Sequence, residues 1–262
     1  MKVLITLVAF LCGSLIAEAQ FGTIHINQDI STETERWADS LAHTSIKPFA
    51  AHRFDLSQNR FFKKDTAKYY YMVGTKLWRD HMIHVKTADF ELALDPLFDF
   101  SFTNDFSENN DYNYTSRLLN NTLGAKLKGS IAEILQFQAT ILENQSYFPN
   151  YLRQITDSLG FGNIDKFGVV PGFGRTKPFY ITGYDYSISS GWIFVRQWKW
   201  MELQLGHGKH IVGHGYRSLL LSDAAYNYPF AKATAYLAGG RIQYSYITMQ
   251  FQSLQRLPRL EV

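Results

Sequence analysis

Three histidines, His207, His210 and His214, fall close together and offer imidazole nitrogens to a metal. A tetrahedral site needs such donors gathered on one side of an element and completed by cysteine or carboxylate. Here Gly206, Gly208, Gly213 and Gly215 interrupt any helix that would gather them, and no cysteine or carboxylate cluster stands nearby. The expectation is no metal and no cofactor, with loop histidines hydrogen-bonded to their neighbours. His214, Ser222 and Asp223 carry the letters of a hydrolytic triad, but no G-x-S-x-G elbow surrounds the serine. Gly172-Phe173-Gly174 and Gly206-His207-Gly208 lack the further glycine and lysine of a phosphate cradle and read as turn glycines. Glu91, Asp95 and Asp99 share one strand parity; a water-filled or plugged lumen accounts for them without acid-base chemistry. No residue is assigned a catalytic role, and the chain reads as a non-enzyme.

Binding is the better-supported chemistry. Sugars are held by aromatic faces and planar hydrogen-bonding groups, joined by arginine and lysine when the glycan is acidic. Arg175, Lys177, Lys209, Tyr216 and Arg217 lie in or beside long connections and supply such groups. The alternative is that they brace loops across a barrel mouth, and Tyr216 to Asp223 could equally form a plug or lumen contact.

The elements that would position them are strands. From Phe90 to Phe102, apolar residues alternate with Glu91, Ala93, Asp95, Leu97, Asp99 and Ser101, a period of two that separates a greasy face from an acidic one. Pro96 cannot donate to a ladder, so a bulge or break is expected beside Asp95. Strands are also expected over Tyr69 to Trp78 and Met82 to Lys86. A polar loop follows at Asn104 to Asn113, and a strand through Leu119, Leu123, Ala125 and Leu127 ends in a turn at Lys128-Gly129-Ser130. Leu135 to Ile141 returns. A long connection, Glu143 to Pro178, holds a short helix at Tyr151 to Ser158; Tyr180 to Phe194 and Met201 to Leu205 follow, then the connection Gly206 to Pro229. The last hairpin turns at Gly239-Gly240, read as a two-residue turn with positive φ.

Long loops and tight turns therefore alternate, the rhythm of outer-membrane barrels. Tyr180, Trp192, Trp198 and Trp200 are placed to form interfacial girdles, with core packing as the other explanation. The fold expected is an all-β antiparallel transmembrane β-barrel, the N-terminal part of a larger one, because Arg256 to Val262 holds no closing amphipathic strand. Thr32 to Glu35 has capping-box spacing, and with Trp37 and Leu41 it reads as a short helix.

The N-terminus reads as a secretory signal: Lys2, an apolar run from Val3 to Ile16, and Ala17-Glu18-Ala19 as a cleavage site leaving Gln20. Phe10 and Leu11 speak against a lipobox at Cys12, the sole cysteine. The organisation expected is a signal peptide over 1–19, an N-terminal helical or plug segment over 20–66, and the barrel over 67–262. Among 262 residues there are 20 phenylalanines and 16 tyrosines, and a net charge of only +3 without a basic block gives nucleic-acid binding no footing.

Asp89 to Leu97, Glu143 to Tyr151, Val169-Val170-Pro171-Gly172 and Gly183 to Tyr186 resemble segments of the capsule assembly Wzi family, in the form seen in RemB-like gliding-motility proteins of Bacteroidota. The densest likeness runs from Leu205 to His210, Gly215 to Asp223 and Asn227 to Phe230. His214 stands where that family more often has an acidic residue, so no role is carried over to it. The resemblance implies a cell outer-membrane β-barrel whose partners are outer-membrane lipid and extracellular or capsular polysaccharide, or surface adhesion and motility machinery. A porin-like diffusion channel is the alternative from another class, and a secreted soluble glycan-binding sandwich a third.

Overall fold

A computed structural model of the protein describes residues 23–24, 34, 45–50, 81–103, 118–132, 134–160, 167–180, 182–215 and 218–254. The signal segment, the helix expected near Thr32 to Leu41 apart from buried Thr34, the strand Tyr69 to Trp78, the loop Asn104 to Asn113, and Tyr216 and Arg217 lie outside the described residues.

The short strands β1 (Thr23–Ile24), β2 (Ile46–Lys47) and β3 (Phe49–Ala50) precede the main sheet. That sheet is built from β4 (Ile83–Lys86), β5 (Phe90–Thr103), β6 (Leu118–Ile131) and β7 (Leu135–Ser146), followed by helix α1 (Asn150–Ser158). Next come β8 (Val169–Val170), β9 (Gly174–Phe179), β10 (Gly183–Trp198), β11 (Met201–Gly208), β12 (Ile211–Val212), β13 (Tyr228–Leu237) and β14 (Ile242–Met249). The order β14-β13-β11-β10-β7-β6-β5-β4 makes an antiparallel up-and-down meander in which chain neighbours are sheet neighbours. β9 continues the lane of β11 along β10, taking Gly183 to Tyr186 where β11 takes Gly191 to Trp198. Among the described residues β4 and β14 are the two edges and do not pair with each other, so the sheet is open. The connections at 87–89, 132–134, 199–200 and 238–241 are short and lie at one end. Those between β5 and β6, β7 and β10, and β11 and β13 are long and lie at the other. The alternation read from the sequence is present.

Register fixes the faces. Phe98 pairs with Leu123, Ala125 with Ile141, Phe137 with Ile193, Ile193 with Leu205, Leu205 with Ala231, and Ala233 with Tyr246. Opposed residues in an antiparallel ladder point the same way, so one apolar face runs across the whole sheet. It is the exposed face: Phe98, Phe100, Leu205 and Tyr244 are between 59% and 70% accessible. The other face carries Thr122, Gln136, Asn144, Glu202, Gln204 and Thr234, all buried and at most 8% accessible. Polarity is inverted relative to a water-exposed sheet that packs on an apolar core.

The limit of the apolar face at the long-loop end descends from strand to strand. It stands at Phe102 on β5, Ile141 on β7 before Glu143, Leu205 on β11 before His207, and Tyr246 on β14 before Thr248. Through the registers, Phe102 aligns with Leu119, which accepts the N–H of Tyr147; Leu205 aligns with Phe137, and Tyr246 with Leu135. The limit thus falls about 40 Å along the strands across lanes about 4.8 Å apart, a slope of about 55°, in the same sense as the tilt of about 35–45° that barrel strands adopt but steeper.

Four expectations are corrected. β5 runs through Asp95, Pro96 and Leu97 with unbroken register, because the β4 ladder ends at the Ile83–Leu94 pair and asks for no donor from Pro96 on that edge. The turn after β6 falls at 132–134, where Ala132 has φ 50°. Gly129 is inside the strand because a Cβ there would stand 2.5 Å from the ring of Phe137. The last hairpin has four connecting residues, Ala238 to Arg241, with positive φ at Ala238, Gly239 and Gly240. Trp192 lies on the polar face, opposite Gln138 and Gly206, and not in an outer girdle; Trp198 and Trp200, flanking the β10–β11 turn with rings 6.5 Å apart, are exposed.

Gly206 shows how closely β10 and β11 approach. A Cβ on it would lie 2.5 Å from the carbonyl oxygen of Gly191 and 2.7 Å from Cβ of Trp192. Both obstacles are backbone or next to it, so the strands themselves must part. Gly206→Ala is expected to cost about 1–3 kcal/mol, read as a lowered urea-unfolding midpoint; an unchanged midpoint would contradict the close approach.

Candidate functional site

The inner aromatic row of β10 is roofed at the long-loop end. Tyr184 and Tyr186 pack with Phe148, Val170 and Leu152 in one cluster, with Phe148 stacked 5.0 Å from Tyr184. The hydroxyl of Tyr184 donates to Asp157 of α1 at 2.8 Å. Thr176 fixes the next segment, its N–H donating to the carbonyl of Gly168 and its hydroxyl accepting the N–H of Gly168 at 2.8 Å. Val170-Pro171-Gly172-Phe173 then closes as a turn, the N–H of Phe173 donating to the carbonyl of Val170 at 3.0 Å with Gly172 at φ 76°. Proline at the second position and glycine at the third are what a type II turn requires.

Lys209 holds this roof to the loop that follows β11. Its ammonium donates to the carbonyls of Gly172 and Asp223, the latter at 3.1 Å, and lies 5.7 Å from the centre of the Phe173 ring. Burial lowers its pKa, and the nearby Asp223 carboxylate partly restores it. Ser222 donates to the Asp223 carboxylate at 3.2 Å and accepts the N–H of Ala224. That serine caps a turn, and Lys209 is a strut.

Arg175 and Lys177 are elsewhere. Both are exposed on β9, and Lys177 stands directly opposite Asp185. Asp185 aligns with Gln145, Gln145 with Asn121, and Asn121 with Phe100, so the pair belongs to the outer face. Arg175 Nε donates to the carbonyl of Leu254 at 3.2 Å. Of the described candidates, then, Lys209 binds the loops together while Arg175 and Lys177 face outward; they do not converge on one pocket. Tyr216 and Arg217 lie outside the described residues.

The histidines diverge. His207 Nδ1 donates to the carbonyl of Ser189 at 3.2 Å, His214 is exposed, and His210 is completely buried. Among the described residues no group of three histidine, cysteine or acidic side chains is placed to hold a metal ion.

What the motif reading missed is the polar network beneath the roof. Thr122 donates to Asn144 at 2.7 Å, Asn144 donates to the carbonyl of Tyr186 at 3.3 Å, and Ser146 donates to Asn120 at 2.5 Å. Further along, Tyr236 donates to Glu202 at 2.9 Å, and Lys232 donates to the carbonyl of Pro48 at 3.2 Å. Since β2 pairs with β12 and Pro48 meets Lys232, the segment 45–50 lies against the inner face. The signal was present as polar residues at alternate positions of β6, β7 and β13.

His210 gives this region a pH dependence. Its N–H donates to the Tyr228 hydroxyl at 2.9 Å, and its ring meets Phe230 edge-on at 4.4 Å. Burial, and then the charge of Lys232, lower its pKa to about 3. The unfolded chain takes up this proton near pH 6.5 while the folded one does not. The stability linked to His210 is therefore complete above pH 6.5 and falls as the pH drops towards 3. From pH 7 to pH 5 the folded protein is expected to lose about 2 kcal/mol that His210→Leu does not lose, measured as the difference in denaturation midpoints at the two pH values; parallel slopes would refute it. No family model matches the chain, and no curated protein or solved structure is similar to it.

Proposed function

We propose that this chain forms an outer-membrane β-barrel, or the greater part of one wall of it, and engages polysaccharide at the cell surface without catalysing a reaction. The observation that carries the reading is the inverted sheet, with buried Gln136, Asn144, Glu202 and Gln204 behind an exposed face of Phe98, Phe100, Leu205 and Tyr244. In water that arrangement is unfavourable; against lipid it is what a spanning strand requires. The row from Phe90 to Phe102 extends about 40 Å, or about 28 Å of thickness at a tilt of about 45°, enough for a hydrocarbon layer. The asymmetry of turns and loops supports the same placement, with the long connections outward.

Surface contact would fall to the braced long loops, where Tyr151, Phe173 and Tyr180 are exposed. Many weak contacts along a polymer would give avidity without a single deep pocket. The polar inner face also suits a diffusion channel, but the segment 45–50 on Lys232 and the roof on Tyr184 occupy that face and support an occluded lumen.

Phe98 is near the middle of its apolar row. Phe98→Arg is expected to cost about 2–4 kcal/mol of folding stability in lipid bilayers, while the parent protein stays with membranes through high-salt and carbonate washes. The parent is further expected to be retained on an immobilised acidic polysaccharide and to show no steady conductance in planar bilayers. Release of the parent by salt would remove the membrane placement, and retention no better than that of an unrelated barrel would remove the polysaccharide role.

A further inference from the structure

We infer that the outer wall of β9 and β10 is a contact site for a phosphate-bearing glycolipid headgroup of the outer leaflet, gripped by Arg175 and Lys177 and flanked by Phe179 and Tyr180. The inference rests on the membrane placement proposed above and goes beyond it, because the polysaccharide reading does not require any residue to face the surrounding lipid.

The side is set by register. Lys177 aligns with Asp185, Gln145, Asn121 and Phe100, the last among the most exposed residues of the apolar face. Arg175, two residues earlier on the strand, shares that face. Phe179 aligns with Gly183, and its ring lies 5.9 Å from Tyr147 across that glycine. A Cβ there would stand 2.9 Å from the Phe179 ring and 3.1 Å from that of Tyr147. Beside them Tyr180 is 80% exposed, packs edge-on against Phe179 at 4.7 Å and has φ 50°. Left-handed backbone at a bulky residue costs about 1 kcal/mol or more and clusters at functional positions. Here it presents an aromatic ring to the outside.

The depth selects the ligand. β9 takes over the lane of β11, whose last apolar outward residue is Leu205. Through β10, Arg175 stands about 20 Å further along that lane, about 14 Å higher at a tilt of about 45°. An ordinary headgroup layer occupies only about 5–7 Å beyond the hydrocarbon on each side. Phosphate carried on the sugars of a glycolipid reaches the height of Arg175 and Lys177; a phospholipid phosphate lies below it. Lys177 stands opposite Asp185, but among the described residues neither Arg175 nor Lys177 forms a close ion pair with a carboxylate. The Nε bond to Leu254 steadies the Arg175 guanidinium and leaves its two terminal nitrogens for a forked contact with phosphate. Asp185 and Glu143 share the face one and two strands away, which confines the attraction to the β9 side.

The test uses the full chain in detergent micelles, titrated with lipopolysaccharide and with the same lipopolysaccharide after dephosphorylation. The parent is expected to bind the phosphorylated form about 30-fold more tightly, as two surface cations near a charged leaflet would supply. The double variant R175Q/K177Q is expected to lose that preference with an unchanged circular dichroism spectrum, and R175K/K177R to recover most of it. Equal binding of the phosphorylated form by parent and R175Q/K177Q overturns the inference, and so does a defect confined to soluble acidic polysaccharide, which would place these cations in the polymer site. Salt release of the parent from native membranes, by contrast, would bring down the placement itself and is seen in fractionation before any titration.

Discussion

A hydrogen-bonded sheet with its polar side chains turned inward and its apolar ones outward can persist only where the outside is not water. Burying one Leu or Phe side chain contributes roughly 1.5–3 kcal/mol in an aqueous protein, and this sheet forgoes that gain at Phe98, Phe100, Leu123, Ile141, Ile193, Leu205 and Ile242 together. Marginal stabilities of about 5–15 kcal/mol cannot absorb so many such losses. In the membrane placement proposed above, lipid would remove them, since an acyl chain is as apolar as the side chain it touches. The same environment forbids unpaired backbone groups, and long strands in unbroken register answer that demand.

With the hydrophobic term assigned to the exterior, the interior must cohere by other means. Its polar groups are buried and hence costly unless paired. Thr122 donates to Asn144 and Ser146 to Asn120 across β6 and β7, and Tyr236 donates to Glu202 across β11 and β13. Lys232 reaches out of the sheet to Pro48 and ties in a segment that is remote in sequence. At the roof Phe148, Tyr184 and Tyr186 form a small conventional core beneath α1. The sheet thus has a polar buried face and a compact apolar knot at its long-loop end.

This division explains what could be read from the residues. Alternation in β5 announced both faces because each is nearly pure, and a short helix was expected where α1 lies. Turns were harder. Gly129 looked like a turn residue, yet it is glycine because the ring of Phe137 occupies its side-chain space, and that is information held by the neighbouring strand. Trp192 was misplaced because the aromatic parity of β10 points inward, against the rule set by β5; the outward parity there is Asp185, Ser187 and Ser189, residues beyond the apolar limit. Of the candidate cations, Lys209 follows β11 while Arg175 and Lys177 lie on β9, and composition cannot distinguish a strut from an exposed group. Only the bonds of Lys209 to Gly172 and Asp223 make that distinction.

That strut bears on how a surface loop can act. Desolvating an ammonium is unfavourable, and two carbonyl acceptors with an aromatic face recover only part of the cost. Lys209 therefore adds modestly to stability but removes freedom from two long connections at once, the turn at Gly172 and the loop at Asp223. Ser218 does the same for the tip of the second loop, accepting from the N–H groups of Leu220 and Leu221 and donating to the carbonyl of Val212. Loops ordered in advance lose less entropy when a ligand settles on them. For the flexible polymer proposed above, which would supply little rigidity of its own, the order would come from the protein, and a polar strut can provide it at a wet surface.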